Sequence, residues 1–236
     1  MRGEPPRSLN QNRLCLILFG PPGSGKGTQA KLLRDRLQMA HISTGDMLRE
    51  RVASADELGK AVAGIMQSGS LVPDELVNRL VEERIEQPDC TNGFILDGYP
   101  RTVSQARLLV ELLEAKQIPA MVVHLKVDYN VIIARLAGRR QCPTCGAVIG
   151  VSLSAPEVSE FCDRCGSTLV IRDDDRPEVV LERLKAYDRQ TMPVLEFLRS
   201  VGYPMWDVDG ASRAPQAIAA DIVELMEKFR GGAAAS

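Results

Sequence analysis

The sequence predicts an α/β fold, in which a mainly parallel central sheet is covered by helices on both faces. Four apolar runs have the length and the flanking turns of buried strands, at 14–19, 94–97, 120–128 and 203–209. Helical spacing follows the first run at Lys26–Leu37, the third in YNVIIARLAGRR at 129–140, and the fourth at about 214–229. Strands that alternate with helices in this way are typical of a three-layer α/β domain.

Two stretches do not follow this alternation and are predicted to be insertions on the loops of the sheet. Residues 43–86 have helical spacing throughout, with breaks near residue 53 and at SGSLVPDE. Residues 141–171 have little helical pattern and contain four cysteines.

Composition and charge limit the classes of function. The chain has 236 residues, 44% apolar and 25% charged, which is ordinary for a globular protein with a sizeable core. Its 29 basic and 31 acidic residues give a net charge of −2, so a surface for nucleic acid has no support. No apolar run reaches the ~18 residues of a membrane span. We therefore expect a cytoplasmic protein, and since nothing in the sequence indicates an oligomer, we expect a monomer.

The turn after the first strand contains a phosphate-binding motif. It reads GPPGSGKGT and matches G-x-x-x-x-G-K-[ST] except that Gly27 follows Lys26, and the hydroxyl comes one residue later at Thr28. Glycines let backbone N–H groups approach phosphate oxygens, the helix start favours anions, and Lys26 would bridge the outer phosphates of a nucleotide. The sequence therefore predicts a P-loop, within a strand–turn–helix context.

The shifted hydroxyl changes the expected magnesium site. One residue along a helix turns a side chain by about 100°, so Thr28 cannot place its oxygen where a residue directly after Lys26 would. Mg²⁺ would then depend on nucleotide oxygens and water, with Asp97, at the end of a predicted strand, binding one of those waters. This weakens the prediction of a GTPase or a motor, but not that of nucleotide binding.

Four cysteines form two pairs with the spacing of a metal site. Cys142-x-x-Cys145 and Cys162-x-x-Cys165 are separated by sixteen residues, which predicts tetrahedral Zn²⁺ bound by four thiolates. Four protein ligands leave no open position, so the zinc would be structural. A redox disulfide pair is an alternative. A zinc ribbon that binds nucleic acid is less favoured, because GAVIGVSLSAPEVSEF between the pairs has no Lys or Arg.

Four motifs occur in order across nearly the whole chain: GPPGSGKGTQA, HISTGDMLRE, GFILDGYPRT and RLAGRRQC. Together they resemble the adenylate kinase family. The family's loop reads G-x-P-G-x-G-K-G-T, so the resemblance makes Gly27 the expected residue. It implies reversible transfer of the ATP γ-phosphoryl group to AMP, giving two ADP, with Mg²⁺ carried by ATP. A UMP/CMP-type nucleoside monophosphate kinase and a nucleotide-binding regulator without turnover remain alternatives, and a zinc-ribbon interaction module is a further one.

The resemblance also implies a P-loop three-layer α/β core with a helical NMP-binding insertion and a zinc-knuckle lid. We expect the core at 13–42, 73–135 and 174–230, the AMP-binding insertion at 43–72 and the zinc-binding lid at 136–173. Residues 1–12 and 231–236 are expected to be mobile tails.

Carried over motif by motif, the resemblance assigns the site residues. It implies that ATP is bound by Gly23, Ser24, Gly25, Lys26, Gly27, Thr28, Arg135 and Arg139. It implies that AMP is bound by Thr44, Arg49, Ser70, Leu71, Val72, Gly98, Arg101, Gln105, Arg172 and Arg183. The catalytic set is Lys26, Arg101, Arg135, Arg139, Arg172 and Arg183.

This set agrees with the chemistry of phosphoryl transfer. Guanidinium groups bind phosphates through paired hydrogen bonds. An acceptor phosphate is already ionised at neutral pH, so no general base is needed. Asp174 and Asp175 are expected to form salt bridges that hold the lid closed.

Overall fold

The structure is a computed structural model that describes residues 13–54, 57–150 and 160–233. The predicted tail at 1–12 and the last three residues of the predicted tail at 231–236 lie outside the described residues. So does 151–159, between the two cysteine pairs.

The central sheet has five parallel strands in the order β2-β3-β1-β4-β7. They are β1 Cys15–Phe19, β2 Ala40–Ser43, β3 Phe94–Asp97, β4 Ala120–Lys126 and β7 Met205–Asp209. The four predicted runs are confirmed as strands, and the fold class with them. β2, AHIS, is not among the four predicted runs, because as an edge strand it is buried at alternate positions only and lacks a continuous apolar run.

Nine α-helices lie among the described residues. They are α1 Lys26–Leu37, α2 Thr44–Ala53, α3 Glu57–Gln67, α4 Asp74–Ile85, α5 Val103–Ala115, α6 Tyr129–Ala137, α7 Pro177–Ala186, α8 Met192–Ser200 and α9 Pro215–Ala233. A turn of π-helix at Tyr187–Thr191 joins α7 to α8. None of these helices is both long enough and apolar enough to cross a membrane.

The side chains of β1 divide the core between the two faces of the sheet, because successive residues of a strand point to opposite sides. Leu16 and Leu18 belong to the cluster with α1 and α9, whereas Ile17 belongs to the cluster with α5 and α8. The strand is therefore buried on both faces, as its continuous apolar run predicts.

The helical prediction for YNVIIARLAGRR is wrong at its last three residues. α6 ends at Ala137, Gly138 follows as its C-cap, and Arg139–Gln141 forms strand β5. β5 pairs antiparallel with β6, Val148–Gly150, and Gln141 also bridges to Val170. These backbone pairings with later parts of the chain override the local helical pattern.

The two predicted insertions differ in structure as expected. The first, at 43–86, contains α2, α3 and α4, whereas the second contains the short β5–β6 sheet and a small cluster made of Cys142, Ala147, Cys162 and Leu169. At the other end of the chain, α9 continues to Ala233, three residues into the predicted C-terminal tail.

Candidate active site

The predicted phosphate-binding loop lies at the carboxyl end of β1, between that strand and α1. Gly23 and Gly25 have positive φ angles of 81° and 100°. Gly25 is the N-cap of α1 and brings no side chain to its first turn, so the N–H groups there are left for an anion. Gly23 is also required by packing, because a Cβ there would lie 2.9 Å from Leu136 Cγ of α6.

Lys26, the first residue of α1, folds back over this loop. Its Nζ donates to the carbonyl oxygens of Gly20 at 2.7 Å and Pro21 at 2.9 Å. Burial removes water from the ammonium and lowers the pKa of Lys26 to about 8. The charge of Asp97 opposes this shift, whereas the charge of Arg101 adds to it. Asp97 thus compensates the ammonium only in part, and a bound phosphate would supply further negative charge.

Gly27 makes room for Asp97, which lies at the end of β3. A Cβ at Gly27 would be 3.2 Å from Asp97 Oδ2, so a serine at this position would crowd the carboxylate. Where the common motif has a hydroxyl side chain, Gly27 therefore leaves room for the Asp97 carboxylate. Thr28, which carries the hydroxyl in this sequence, lies exposed on the first turn of α1.

Asp97 is ionised in spite of its surroundings. Burial raises its pKa, but the hydrogen bond from His41 and the charge of Lys26 more than offset this, so the net pKa is below the usual range. His41 Nε2 lies 3.4 Å from Asp97 Oδ2. A carboxylate beside the loop has the chemistry that a hydrated Mg²⁺ prefers.

Two clefts meet beside the loop, and we call them the first and the second cleft. The first cleft is lined by Gly20, Lys26, Tyr99, Tyr187 and other residues of the loop, the turn after β3 and α7. The second cleft is lined by Thr44, Leu48, Arg49, Ser70, Leu71, Val72, Val77, Gln105 and Asp174. Arg101 and Arg183 line both clefts, as does Gly98.

Arg101 is held at the junction by the turn after β3. Its Nε donates to the carbonyl oxygen of Gly98 at 2.7 Å. Gly98 has a φ of 81°, and a Cβ there would lie 2.8 Å from Arg101 Nη2. Its surroundings lower the pKa of Arg101 to about 10, and the neighbouring charge of Arg183 adds to this effect. The cation is therefore poorly compensated where the clefts meet.

The second cleft offers donors to an anion at one end. Thr44 Oγ1 donates to the carbonyl oxygen of Gly98 at 2.8 Å, which ties α2 to the same turn. Arg49 Nη2 pairs with Asp46 at 2.5 Å, while Arg49 Nε is buried without a hydrogen-bond partner among the described residues. A buried, unpartnered guanidinium N–H is costly unless a ligand accepts from it.

Gln105 is buried in the wall of the second cleft, and its amide is fixed at both ends. Oε1 accepts from the backbone N–H of Arg101 at 2.7 Å, and Nε2 donates to Asp74 Oδ1 at 2.8 Å. Asp74 was not among the predicted site residues. It precedes Gln105 by 31 residues, and no motif in the sequence links the two.

The remaining predicted arginines are anchored near the cysteine-rich insertion. Arg139 forms a paired salt bridge with the buried carboxylate of Asp175, and Arg183 contacts Asp174 at 3.1 Å and Asp175 at 3.2 Å. The predicted salt bridges of Asp174 and Asp175 are thus confirmed. Arg172 donates from Nε to Gln141 Oε1 at 2.6 Å.

Arg135 lies between two backbone segments rather than beside an acidic side chain. Its guanidinium donates to the carbonyl oxygens of Gly210 at 2.9 Å and Ser24 at 3.4 Å. Gly210 was not predicted, although it directly follows β7 at the end of the sheet where ligands bind. A Cβ at Gly210 would lie 2.8 Å from Val127 Cγ2, so a glycine is needed there.

The four predicted cysteine ligands converge in the second insertion. Their sulfur atoms all lie within 4.8 Å of one another, and two pairs are 3.4 and 3.6 Å apart. A tetrahedral zinc with Zn–S bonds of ~2.3 Å requires a separation of roughly 3.8 Å. The four thiols are free of disulfide bonds.

The chain is similar over most of its length to proteins of one family. The family model described as adenylate kinase matches residues 18–203. A protein of Archaeoglobus fulgidus named adenylate kinase is 44% identical over 217 residues, which cover 91% of this chain and 99% of that protein. Proteins of the same name from Syntrophotalea carbinolica and Anaeromyxobacter dehalogenans are each 46% identical, over 83% and 88% of this chain and 90% and 96% of their own lengths.

Proposed function

This chain belongs to the adenylate kinase family and is an ATP:AMP phosphotransferase, and we propose that ATP occupies the first cleft and AMP the second. The observation that carries this assignment is the position of Arg101 and Arg183, which line both clefts. Two guanidinium groups at the junction would contact the phosphates of both nucleotides. Neither the UMP/CMP-type kinase nor the regulator without turnover is favoured by relatives that are named adenylate kinase.

The proposed division of residues follows the two clefts. The loop from Gly23 to Thr28, with Arg135 and Arg139, would bind ATP. Thr44, Arg49, Gln105, the turn at Gly98 and the segment from Ser70 to Val72 would bind AMP. Lys26, Arg101, Arg172 and Arg183 would bind the phosphates between which the phosphoryl group moves. Because one chain supplies both clefts, we propose a monomer as the active unit.

Catalysis in this arrangement consists of positioning and charge stabilisation. An AMP phosphate is an ionised nucleophile, so no side chain has to remove a proton. Lys26 and the arginines hold the two phosphate groups in line and stabilise charge that spreads over the transferring oxygens. Asp97 would hold Mg²⁺ through water, and the ion would neutralise charge on the ATP phosphates.

We propose that the three-part organisation serves to exclude water. Residues 136–173 would form a lid over ATP, residues 43–72 would enclose AMP, and the remaining described residues would form the core. Arg49, in the AMP-binding insertion, lies 3.9 Å from Asp174, beside the lid, so the two insertions can be coupled. A closed site prevents hydrolysis of ATP before the acceptor is bound. The four cysteines would hold a structural Zn²⁺ that stiffens this lid.

The reaction is tested by supplying MgATP with AMP, UMP, CMP or GMP in parallel and measuring ADP formation. We expect strong turnover with AMP alone. Preference for UMP or CMP would overturn the assignment of the second cleft to AMP. No transfer to any acceptor, with ATP still bound, would overturn the catalytic assignment.

Gly27→Ser is expected to impair magnesium-dependent turnover, although it restores the common P-loop hydroxyl. The added Cβ lies within 3.2 Å of Asp97 Oδ2 and would displace this carboxylate. We expect kcat to fall about tenfold or more, with more Mg²⁺ needed for half-maximal rate, as for loss of one charge-stabilising contact. The measurement is the rate against Mg²⁺ concentration. Gly64→Ser, where nothing lies within 4 Å of the added Cβ, is the matched control and should behave as wild type.

Removal of the metal from the four-cysteine site is expected to lower thermal stability before it affects the chemistry. Structural zinc contributes directly to folding, so we expect Tm to fall by roughly 10 °C. Initial rates at room temperature should change little. Tm and rate are measured on metal-free protein and on Cys145→Ser, with Thr144→Ala in the same loop as control. An unchanged Tm in the metal-free, folded protein would contradict the structural role.

A further inference from the structure

We propose that Asp74 determines the acceptor-base selectivity of this enzyme by fixing the amide of Gln105 in one of its two orientations. The inference rests on the proposed AMP site in the second cleft. Asp74 is the first residue of α4 and does not line that cleft, whereas Gln105 does. Asp74 is therefore a positioning residue that acts through Gln105.

The contacts of Asp74 join the starts of two helices. Oδ1 accepts from Gln105 Nε2 at 2.8 Å, and Oδ2 accepts from Thr102 Oγ1 at 2.7 Å. Thr102 is the N-cap of α5 and accepts from the backbone N–H of Gln105. Both carboxylate oxygens are thus occupied by groups that hold the first turn of α5 against α4.

These contacts determine where the oxygen and the nitrogen of the Gln105 amide lie. The NH₂ and C=O ends of an amide have nearly the same shape but opposite hydrogen-bonding character. An ionised carboxylate only accepts and a backbone N–H only donates. Rotating the amide of Gln105 by half a turn would place oxygen against Asp74 and NH₂ against the Arg101 N–H. Two hydrogen bonds would be lost in a side chain that is only 2% exposed.

The fixed amide keeps one N–H and one oxygen lone pair for a ligand. Adenine offers the complementary pair, the acceptor N1 beside the amino donor on C6. Hypoxanthine has the same shape, but its N1 carries a hydrogen and its C6 an oxygen, so the two positions have the opposite hydrogen-bonding character. Since Arg49 and Arg101 would hold the phosphate end, the base edge can approach from one direction only. A Gln105 fixed by both contacts then binds adenine and rejects hypoxanthine, whereas one held only by the Arg101 N–H would reverse its amide with the loss of one hydrogen bond instead of two.

AMP and IMP test this inference because they differ only in these groups. The variant is Asp74→Asn, whose amide can either donate to Gln105 Oε1 or accept from Nε2. We expect the ratio of kcat/KM for AMP to that for IMP to fall severalfold, chiefly because IMP improves, while the Arg101 N–H keeps part of the preference. The KM for ATP should stay unchanged. Glu75→Gln, the same charge change at the next, exposed residue of α4, should keep the wild-type ratio.

The outcomes separate this inference from the proposed function. If Asp74→Asn lowers activity with both acceptors equally, Asp74 only supports the helix starts and the inference is wrong. If wild type turns over AMP and IMP equally, the second cleft does not select adenine. That result would contradict the proposed AMP site itself, independently of Asp74. Should Asp74→Asn not fold, Asp74→Ser carries the same expectation, because a hydroxyl also donates or accepts.

Discussion

Replacing Arg101 by methionine is expected to lower kcat about 10³-fold or more while leaving Tm unchanged or higher. Arg101 lines both clefts, so it would contact the phosphoryl group during transfer, when charge is greatest. Removing one such donor costs 10²- to 10³-fold in other enzymes, and arginines in phosphoryl transfer contribute ~10³ to 10⁵.

Stability should respond in the opposite direction because the charge of Arg101 is unfavourable in the folded protein without nucleotide. Its surroundings and the nearby Arg183 lower the pKa of Arg101 to about 10. Methionine removes that charge and fills similar space, at the cost of the side-chain hydrogen bond to Gly98. An active site that concentrates like charges is less stable than one without them.

Tm and kcat of Arg101→Met are measured beside those of Arg79→Met. Arg79 makes an exposed salt bridge with Glu83 on α4, so neither quantity should change in the control. A fall of several degrees in Tm, with a parallel fall in kcat, would show that Arg101 acts through the fold. Rescue of most activity by Arg101→Lys would show that a point charge is enough there.

Local patterns in the sequence were sufficient for those parts of the site that are themselves local. The phosphate-binding loop is a strand, a turn and a helix start within about fifteen residues, so its glycines and Lys26 could be predicted. The cysteine pairs are two short turns with fixed spacing. The four long apolar runs predicted the sheet for the same reason, since each is buried on both faces.

Contacts between distant segments could not be predicted. Asp74 lies 31 residues before Gln105, and Arg135 reaches Gly210 across 75 residues. Each contact depends on how helix starts and strand ends are placed around the sheet, which local patterns do not contain. The helical prediction for Arg139 and Arg140 failed for a different reason, because antiparallel pairing with the nearby β6 outweighs the local helical pattern.

Affinity for ATP is expected to fall as pH rises through about 8, because Lys26 loses its proton there. Its surroundings lower the pKa of Lys26 in the free protein to about 8, and bound phosphates would raise it again. Above that pH, binding must take up a proton, so affinity should fall up to about tenfold per pH unit. For folding the sign is opposite. From about pH 8 up to the ordinary pKa of lysine the unfolded chain binds more protons, so this group makes the free protein more stable with rising pH.

Titration calorimetry in buffers of different ionisation enthalpy measures this proton uptake directly. We expect almost none at about pH 7 and close to one proton per ATP at about pH 9. Lys26→Arg keeps its charge throughout this range, so its uptake should vanish, and Lys26→Met should lose both uptake and about 10³-fold or more in kcat. Equal uptake at both pH values in wild type would mean that Lys26 stays charged in the empty site. In that case the two hydrogen bonds that Lys26 Nζ donates to the carbonyl oxygens of Gly20 and Pro21 would stabilise the ammonium more than burial destabilises it.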